Sequence, residues 1–100
     1  MAYKIQYLDL AKSDVKEIKS YLTQFYPSTP AKFLADLKKN ITNLSSMPGM
    51  YEAYHDNPSY HRLVVSNYLV FYKVDDKNQT VEIHRILHGA RDLSRYLQTE

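Results

Sequence analysis

Histidine and arginine are confined to the second half of this chain, which carries all four histidines and all four arginines. Histidine can give or take a proton near neutral pH, because its unperturbed pKa is about 6.5. Arginine can hold a phosphate group and offset the charge that develops on it. Cleavage of RNA without a metal uses the 2′-hydroxyl as nucleophile and needs only an acid, a base and positive charge. We therefore predict a metal-independent phosphodiester site, with His88 as acid or base and Arg62 and Arg91 at the phosphate.

Aromatic and basic residues in the same region could bind the substrate around such a site. The chain has ten tyrosines and no tryptophan, and tyrosine rings can stack on the bases of single-stranded RNA. The candidate substrate-binding residues are Tyr60, His61, Arg85 and Lys73. Three of the candidate residues have an ordinary alternative. Tyr60 and His61 could be strand residues without a role in binding, and Arg91 could form surface ion pairs that contribute little to stability.

Other kinds of chemistry are excluded by what the sequence lacks. The absence of cysteine removes disulfides, thiolate nucleophiles and cysteine-based zinc sites. Two glycines are too few for a glycine-rich phosphate loop, and no Gly-x-Ser-x-Gly motif is present. His84 and His88 are four positions apart, but on a predicted strand they would lie too far from each other to share a metal ion. We therefore predict no metal and no cofactor.

Length and composition indicate a small globular protein. The chain has 100 residues, so we expect a single domain over residues 1–100. Its 44% of hydrophobic and 24% of charged residues argue against a disordered chain. No apolar stretch is long enough to span a membrane and the N-terminus lacks a signal-peptide pattern, so we expect a cytoplasmic protein with no membrane partner. The net charge of +2 is too small to indicate nucleic-acid binding by itself.

The spacing of apolar residues predicts an N-terminal strand followed by two helices. Residues 3–8 alternate as in a strand. Apolar residues then recur every three or four positions over 11–25 and again over 33–44, which is typical of helices with one buried face. Asp9 and Thr29 are placed to cap the two helices, and the prolines between them end the first helix. The two helices should form an antiparallel hairpin.

The second half of the chain is rich in β-branched and aromatic residues, which favour strands. Residues 47–58 show no period and predict a connecting loop. Strands over 60–66, 67–74 and 80–87 predict an antiparallel meander, and a short helix should begin at Asp92. We therefore predict an α+β fold in which the N-terminal strand and helical hairpin pack on an antiparallel sheet. The opposite face of the sheet, left partly open, would carry the histidines and arginines.

Two segments of the second half carry a family resemblance. They read Tyr-Leu-Val-Phe-Tyr over 68–72 and Arg-Ile-Leu-His-Gly-Ala-Arg-Asp over 85–92. Together with the order of predicted elements, they resemble the RelE/ParE superfamily of bacterial toxins along nearly the whole chain. The resemblance implies a toxin of a type II toxin–antitoxin module, held inactive by a cognate antitoxin. RelE-like members cleave mRNA on the ribosome, whereas ParE-like members inhibit DNA gyrase and are not nucleases.

The two branches of the superfamily match different residues. Arg62 falls where RelE-like proteins carry a basic residue, but Leu69 and Tyr60 stand where they carry arginine and lysine. The Leu-His-x-x-x-Asp segment that ends at Asp92 is similar to ParE-type sequences, while some RNA-cleaving relatives have a histidine at the position of His88. Our first hypothesis is a ribosome-dependent mRNA endonuclease. The alternatives are a non-enzymatic inhibitor of DNA gyrase and a non-toxic binding module on the same fold.

The helical hairpin is the predicted antitoxin surface. Lys12, Lys16 and Lys19 lie on the solvent side of the first helix, where an acidic antitoxin segment could bind. The alternative is that these lysines only keep the helix solvated. The predicted partners are therefore a cognate antitoxin and either the ribosome with its mRNA or DNA gyrase.

Overall fold

A computed structural model of the chain describes residues 2–25, 30–48, 53–54 and 57–89. Five strands and two helices make up this part of the chain. In chain order they are β1 (Lys4–Tyr7), α1 (Asp9–Phe25), α2 (Pro30–Asn43), β2 (Ala53–Tyr54), β3 (Asn57–Val65), β4 (Tyr68–Asp75) and β5 (Thr80–His88). The predicted order of an N-terminal strand, a helix pair and a three-stranded meander is confirmed. The predicted helix from Asp92 lies outside the described residues.

The helices form where the apolar spacing predicts them. Ala11, Ile18 and Leu22 of α1 are buried in one stripe, and α2 buries a matching stripe that includes Phe33 and Ile41. Such a stripe gains stability only when it packs against another apolar surface. The two helices therefore lie on the sheet, and the polar residues between Ala11 and Leu22 are exposed, except for the buried Asp14.

The sheet has the strand order β1-β5-β4-β3-β2. The meander β3-β4-β5 is antiparallel, as predicted, but β1 pairs with β5 in parallel. The sheet is therefore mixed rather than wholly antiparallel. A parallel pair needs a long crossover between its strands, and the helical hairpin is the first part of that crossover.

The segment over 47–58 differs from the predicted loop. It contains β2, and β3 already begins at Asn57, before Pro58. A residue that precedes proline favours extended backbone angles, and proline is tolerated in strands near a sheet edge. The sequence pattern missed these strands because β2 has two residues, too few to show a period.

The two faces of the sheet have different surroundings. The inner face, which α1 and α2 cover, belongs to the main hydrophobic core with Leu63, Val70 and Ile83. The outer face carries a smaller buried cluster of Tyr60, Phe71 and Leu87, with Leu69 packed against it. Because successive strand residues point to opposite faces, these two clusters fix the face on which each candidate site residue lies.

Candidate functional site

The predicted site residues divide between the two faces of the sheet. Arg62 pairs across the ladder with Phe71, and directly paired residues share a face, so the exposed Arg62 lies on the outer face. The neighbouring His61 pairs with Tyr72, a member of the main core, and its ring stacks on that of Tyr72 with centroids 5.2 Å apart. His61 is therefore on the inner side, not on the open face where we expected it.

His88 also lies on the inner side, at the end of β5. It pairs with Tyr68, and the two rings meet edge to face with centroids 5.3 Å apart. The next residue, Gly89, donates its N–H to the carbonyl of Asn67 at 2.9 Å, which ties the end of β5 to the β3–β4 turn. The expectation of one open face that carries both His88 and Arg62 is wrong, because the alternation of strand residues places them on opposite faces. Arg91 lies outside the described residues.

Arg85 is held by a carboxylate of α1. Its Nε donates to Oδ2 of Asp14 at 2.7 Å and its Nη2 to Oδ1 at 2.8 Å. The N–H of Ile86 donates to the same Asp14 Oδ2 at 3.0 Å. Both side chains of this ion pair are largely buried. Because the pair has two parallel charged hydrogen bonds, it links α1 to β5 in a defined geometry.

A β-bulge aims Arg85 at α1. Phe71 pairs with Arg85 and Tyr72 with Ile83, so His84 has no partner in the ladder. A bulge adds one residue to a strand and shifts the facing of the residues beside it. Regular alternation along β5 would place Arg85 on the outer face of the sheet, with its ladder partner Phe71. Asp14 was missed altogether, although it interrupts the buried side of α1 and so carries a signal of a buried polar contact.

Tyr60 and Lys73 lie together on the outer face. Lys73 Nζ is 4.6 Å from the centroid of the Tyr60 ring, a cation–π geometry. The ring of His84 meets the same tyrosine edge to face at 5.2 Å, and His84 Nε2 is 3.3 Å from Oε1 of Glu82. Tyr60 itself is only 5% exposed. Its ring packs against neighbouring side chains and offers little surface on which an RNA base could stack.

The lysines predicted to bind an antitoxin lie on one flank of α1. Lys12, Lys16 and Lys19 are all exposed. Lys12 also lines a groove of about 380 Å³ between α1 and α2, together with Tyr7, Val15, Leu34, Leu37 and Lys38. Burial raises the pKa of the Tyr7 phenol above its usual value. The groove thus has an apolar floor with lysines at its edge, and we call it the basic groove.

Metal binding and membrane insertion find no support in the described part of the chain. Among residues 2–25, 30–48, 53–54 and 57–89, no three acidic or histidine side chains gather in a group that could hold a metal ion. Within the same ranges, neither helix combines the length and hydropathy of a membrane span.

Solved toxin–antitoxin structures share this fold. A chain of the chromosomal ParDE system from P. aeruginosa has a TM-score of 0.74 at 14% identity, over 87% of this chain and 96% of that chain. The isolated E. coli RelE toxin gives 0.65 at 15% identity, over 95% and 93%. A chain of the RelBE2 complex from Mycobacterium tuberculosis gives 0.63 at 20% identity, over 88% and 99%. No curated protein matches the sequence at a significant level.

These structures show the fold, which is the α+β fold of solved RelE and ParDE structures. The family model of the ParE toxin of the type II toxin–antitoxin system parDE matches residues 5–93. The chain belongs to this family and is the toxin component of a type II toxin–antitoxin system. The RelBE2 neighbour from Mycobacterium tuberculosis is a toxin–antitoxin complex, which supports a cognate antitoxin as the partner of this chain.

Proposed function

We propose that this toxin arrests growth by binding DNA gyrase rather than by cleaving mRNA. The observation that carries the proposal is the separation of His88 and Arg62 on opposite faces of the sheet. An RNA-cleaving site needs its acid or base and its phosphate-binding cation around one scissile phosphate, within hydrogen-bond reach. Membership of the ParE family supports the same choice, because ParE-like members inhibit gyrase.

The other predicted substrate-binding residues also favour a non-enzymatic toxin. Arg85 directs two N–H groups at Asp14, and releasing it for a phosphate would leave a buried carboxylate without its cation. On the outer face, the imidazole of His84 is 20% exposed and lies beside Glu82. The same face carries the exposed Arg62, whose charge suits a contact with an acidic macromolecular surface.

Growth arrest can be assigned to a target by pulse-labelling of DNA and protein synthesis just after induction of the toxin. We expect DNA synthesis to stop first, and we expect the purified toxin to inhibit supercoiling by gyrase. His88→Ala and Arg62→Ala are the matched variants, since a nuclease would lose mRNA cleavage and toxicity with either. We expect His88→Ala to stay toxic.

Two results would contradict this proposal. A first stop in protein synthesis, with mRNA cleavage that both variants abolish, would restore the mRNA endonuclease. Harmless overexpression without any antitoxin would instead indicate a binding module that has kept the fold without the toxic activity.

We further propose that the cognate antitoxin binds over the basic groove and the flank of α1 that carries Lys12, Lys16 and Lys19. Charge complementarity with an acidic segment supports this site, and the apolar floor of the groove can receive side chains of an amphipathic segment. Replacement of these three lysines by glutamate should raise the Kd for the antitoxin at least about tenfold, measured by calorimetry. Lys77→Glu, an exposed change in the β4–β5 turn, is the control and should leave the Kd unchanged.

A further inference from the structure

A second and larger cleft lies on the other flank of α1. Its volume is about 810 Å³, within the range of ligand-binding clefts, roughly 300–1,000 Å³. One wall is α1 and the other is formed by the β3–β4 turn and the end of β5. The described lining residues are Asp14, Glu17, Ile18, Ser20, Tyr21, Leu22, Asn67, Tyr68, Ile86 and His88. We call this the acidic cleft, because its charged lining residues are carboxylates.

A stripe of α1 crosses the acidic cleft with Asp14, Glu17 and Tyr21 and continues beyond it at both ends. Leu10, Asp14, Glu17, Tyr21 and Phe25 are spaced by three or four positions, which places them on one side of the helix. The three apolar members are more than half exposed, at 60%, 51% and 56%. The two aromatic rings at the end of the stripe pack against each other with centroids 4.9 Å apart. Large apolar side chains exposed along one stripe are typical of a surface that binds a partner.

The charge of this stripe is opposite to that of the other flank. Asp14 is neutralised by Arg85, so the exposed Glu17 is the carboxylate of the described lining that can meet a cation of a partner. Lys12, Lys16 and Lys19 lie about 100–160° from Glu17 around the same helix. An acidic antitoxin segment complements the lysine flank and would be repelled at Glu17. The two flanks therefore suit partners of opposite charge.

We propose that the acidic cleft binds a helical segment of a second protein, one that has an apolar stripe and an arginine or lysine facing Glu17. The stripe on α1 extends for about 22 Å, from fifteen steps of about 1.5 Å each, which matches a partner helix of four turns. Apolar anchors at both ends and a carboxylate in the middle fit a groove that receives an amphipathic helix. This site is additional to the antitoxin site and does not depend on the identity of the toxic target.

The test uses the full chain and two fluorescent helical peptides of roughly 18 residues, a length set by the span of the stripe. Both have leucines on one stripe, with arginines beside them in the first peptide and glutamates in the second. Fluorescence anisotropy should give a Kd at least about tenfold lower for the arginine peptide. Glu17→Lys should raise that Kd about tenfold or more, and Tyr21→Ser should raise it by a similar factor because an aromatic anchor is lost.

Lys16→Gln is the matched control, since residue 16 is the exposed neighbour of residue 17 on the opposite flank. It should change the Kd less than about twofold. Circular dichroism checks that each variant is folded. The proposal fails if both peptides bind equally, or if Glu17→Lys leaves the Kd unchanged. It also fails if the arginine peptide binds only after deletion of residues 90–100, because the chain's own C-terminal residues would then be the occupant.

The same variants separate this site from the antitoxin site. Glu17→Lys should leave the Kd for the antitoxin within about twofold of the wild-type value. A loss of antitoxin affinity as large as that caused by changing the lysines would show that one partner covers both flanks, and it would overturn the proposal of a second partner.

Discussion

The inner and outer faces of the sheet use charged residues in different ways. On the inner face, the charged pair of Asp14 and Arg85 is largely buried and its bonds satisfy the N–H of Ile86 as well. On the outer face, Lys73 lies over an aromatic ring and Arg62 is exposed. A buried charge that loses its partner costs about 3–5 kcal/mol, whereas an exposed charge can be replaced at little cost. The charged residues of the inner face therefore stabilise the fold, whereas those of the outer face and of the flanks of α1 can contact other molecules.

The largest effect is expected from Asp14→Ala. The substitution leaves the guanidinium of Arg85 and the N–H of Ile86 without the carboxylate that accepts their hydrogen bonds. Removal of one partner of a buried ion pair costs about 3–5 kcal/mol. We expect a loss of this size in the free energy of unfolding, measured with urea.

A second variant separates the ion pair from its surroundings. Asp14→Leu combined with Arg85→Met replaces both charges by apolar groups, which is often nearly neutral for buried pairs. We expect the double variant to recover part of the stability lost in Asp14→Ala, and the rest to stay lost because the buried N–H of Ile86 has lost its acceptor. A loss of less than about 1 kcal/mol for Asp14→Ala alone would place this pair with exposed ion pairs, and the contrast between the two faces would then disappear.

The next effect compares two apolar strand residues. Ile83 is fully buried on the inner face, while Val64 of β3 is 55% exposed. Ile83→Ala should lower the free energy of unfolding by about 3 kcal/mol, because it removes buried methyl groups and leaves a cavity. Val64→Ala should cost less than about 1 kcal/mol. Equal losses in thermal or chemical unfolding would contradict the assignment of the two faces.

A smaller effect is expected at the cation–π contact of the outer face. Lys73→Met keeps the length of the side chain but removes the charge over the Tyr60 ring, which should cost about 0.5–1 kcal/mol. The same change combined with Tyr60→Leu gives the coupling between the two residues from a double-mutant cycle. Additive losses would show that the ring and the ammonium group do not interact.

Much of the fold can be predicted from the sequence, and the reasons are local. The helical stripes of α1 and α2 and the meander of β3 to β5 each follow from a regular spacing of apolar residues. The two-residue strand β2 leaves no such pattern, so it was missed. The parallel pairing of β1 with β5 depends on how the crossover packs, which no local spacing reveals.

The candidate site was harder to predict because residue type does not determine facing. The side-chain chemistry of His88 and Arg85 makes them candidates, but the bulge at His84 shifts the facing of the strand residues around it. Arg85 then meets Asp14, which is 71 positions away in the sequence. A pairing at that separation is set by tertiary packing. The exposure of the α1 lysines is easier to predict, because the exposed side of a helix follows directly from its period.

The smallest effect on stability is expected in the exposed turn that connects β4 and β5, outside both faces of the sheet. The side-chain amide of Asn78 donates to Asp75 at 2.7 Å, and its backbone N–H donates to the same carboxylate at 3.1 Å. These hydrogen bonds hold the pKa of Asp75 below its ordinary value of 3.8. A carboxyl whose pKa is lowered by folding stabilises the native state above its unfolded pKa, and this contribution is lost as the pH falls through the folded pKa. Asp75→Asn should therefore lower the free energy of unfolding by a constant small amount above about pH 5, with the difference from wild type shrinking below about pH 4. A difference that stays constant down to pH values far below 3.8 would mean that the turn is held without the ionised carboxylate.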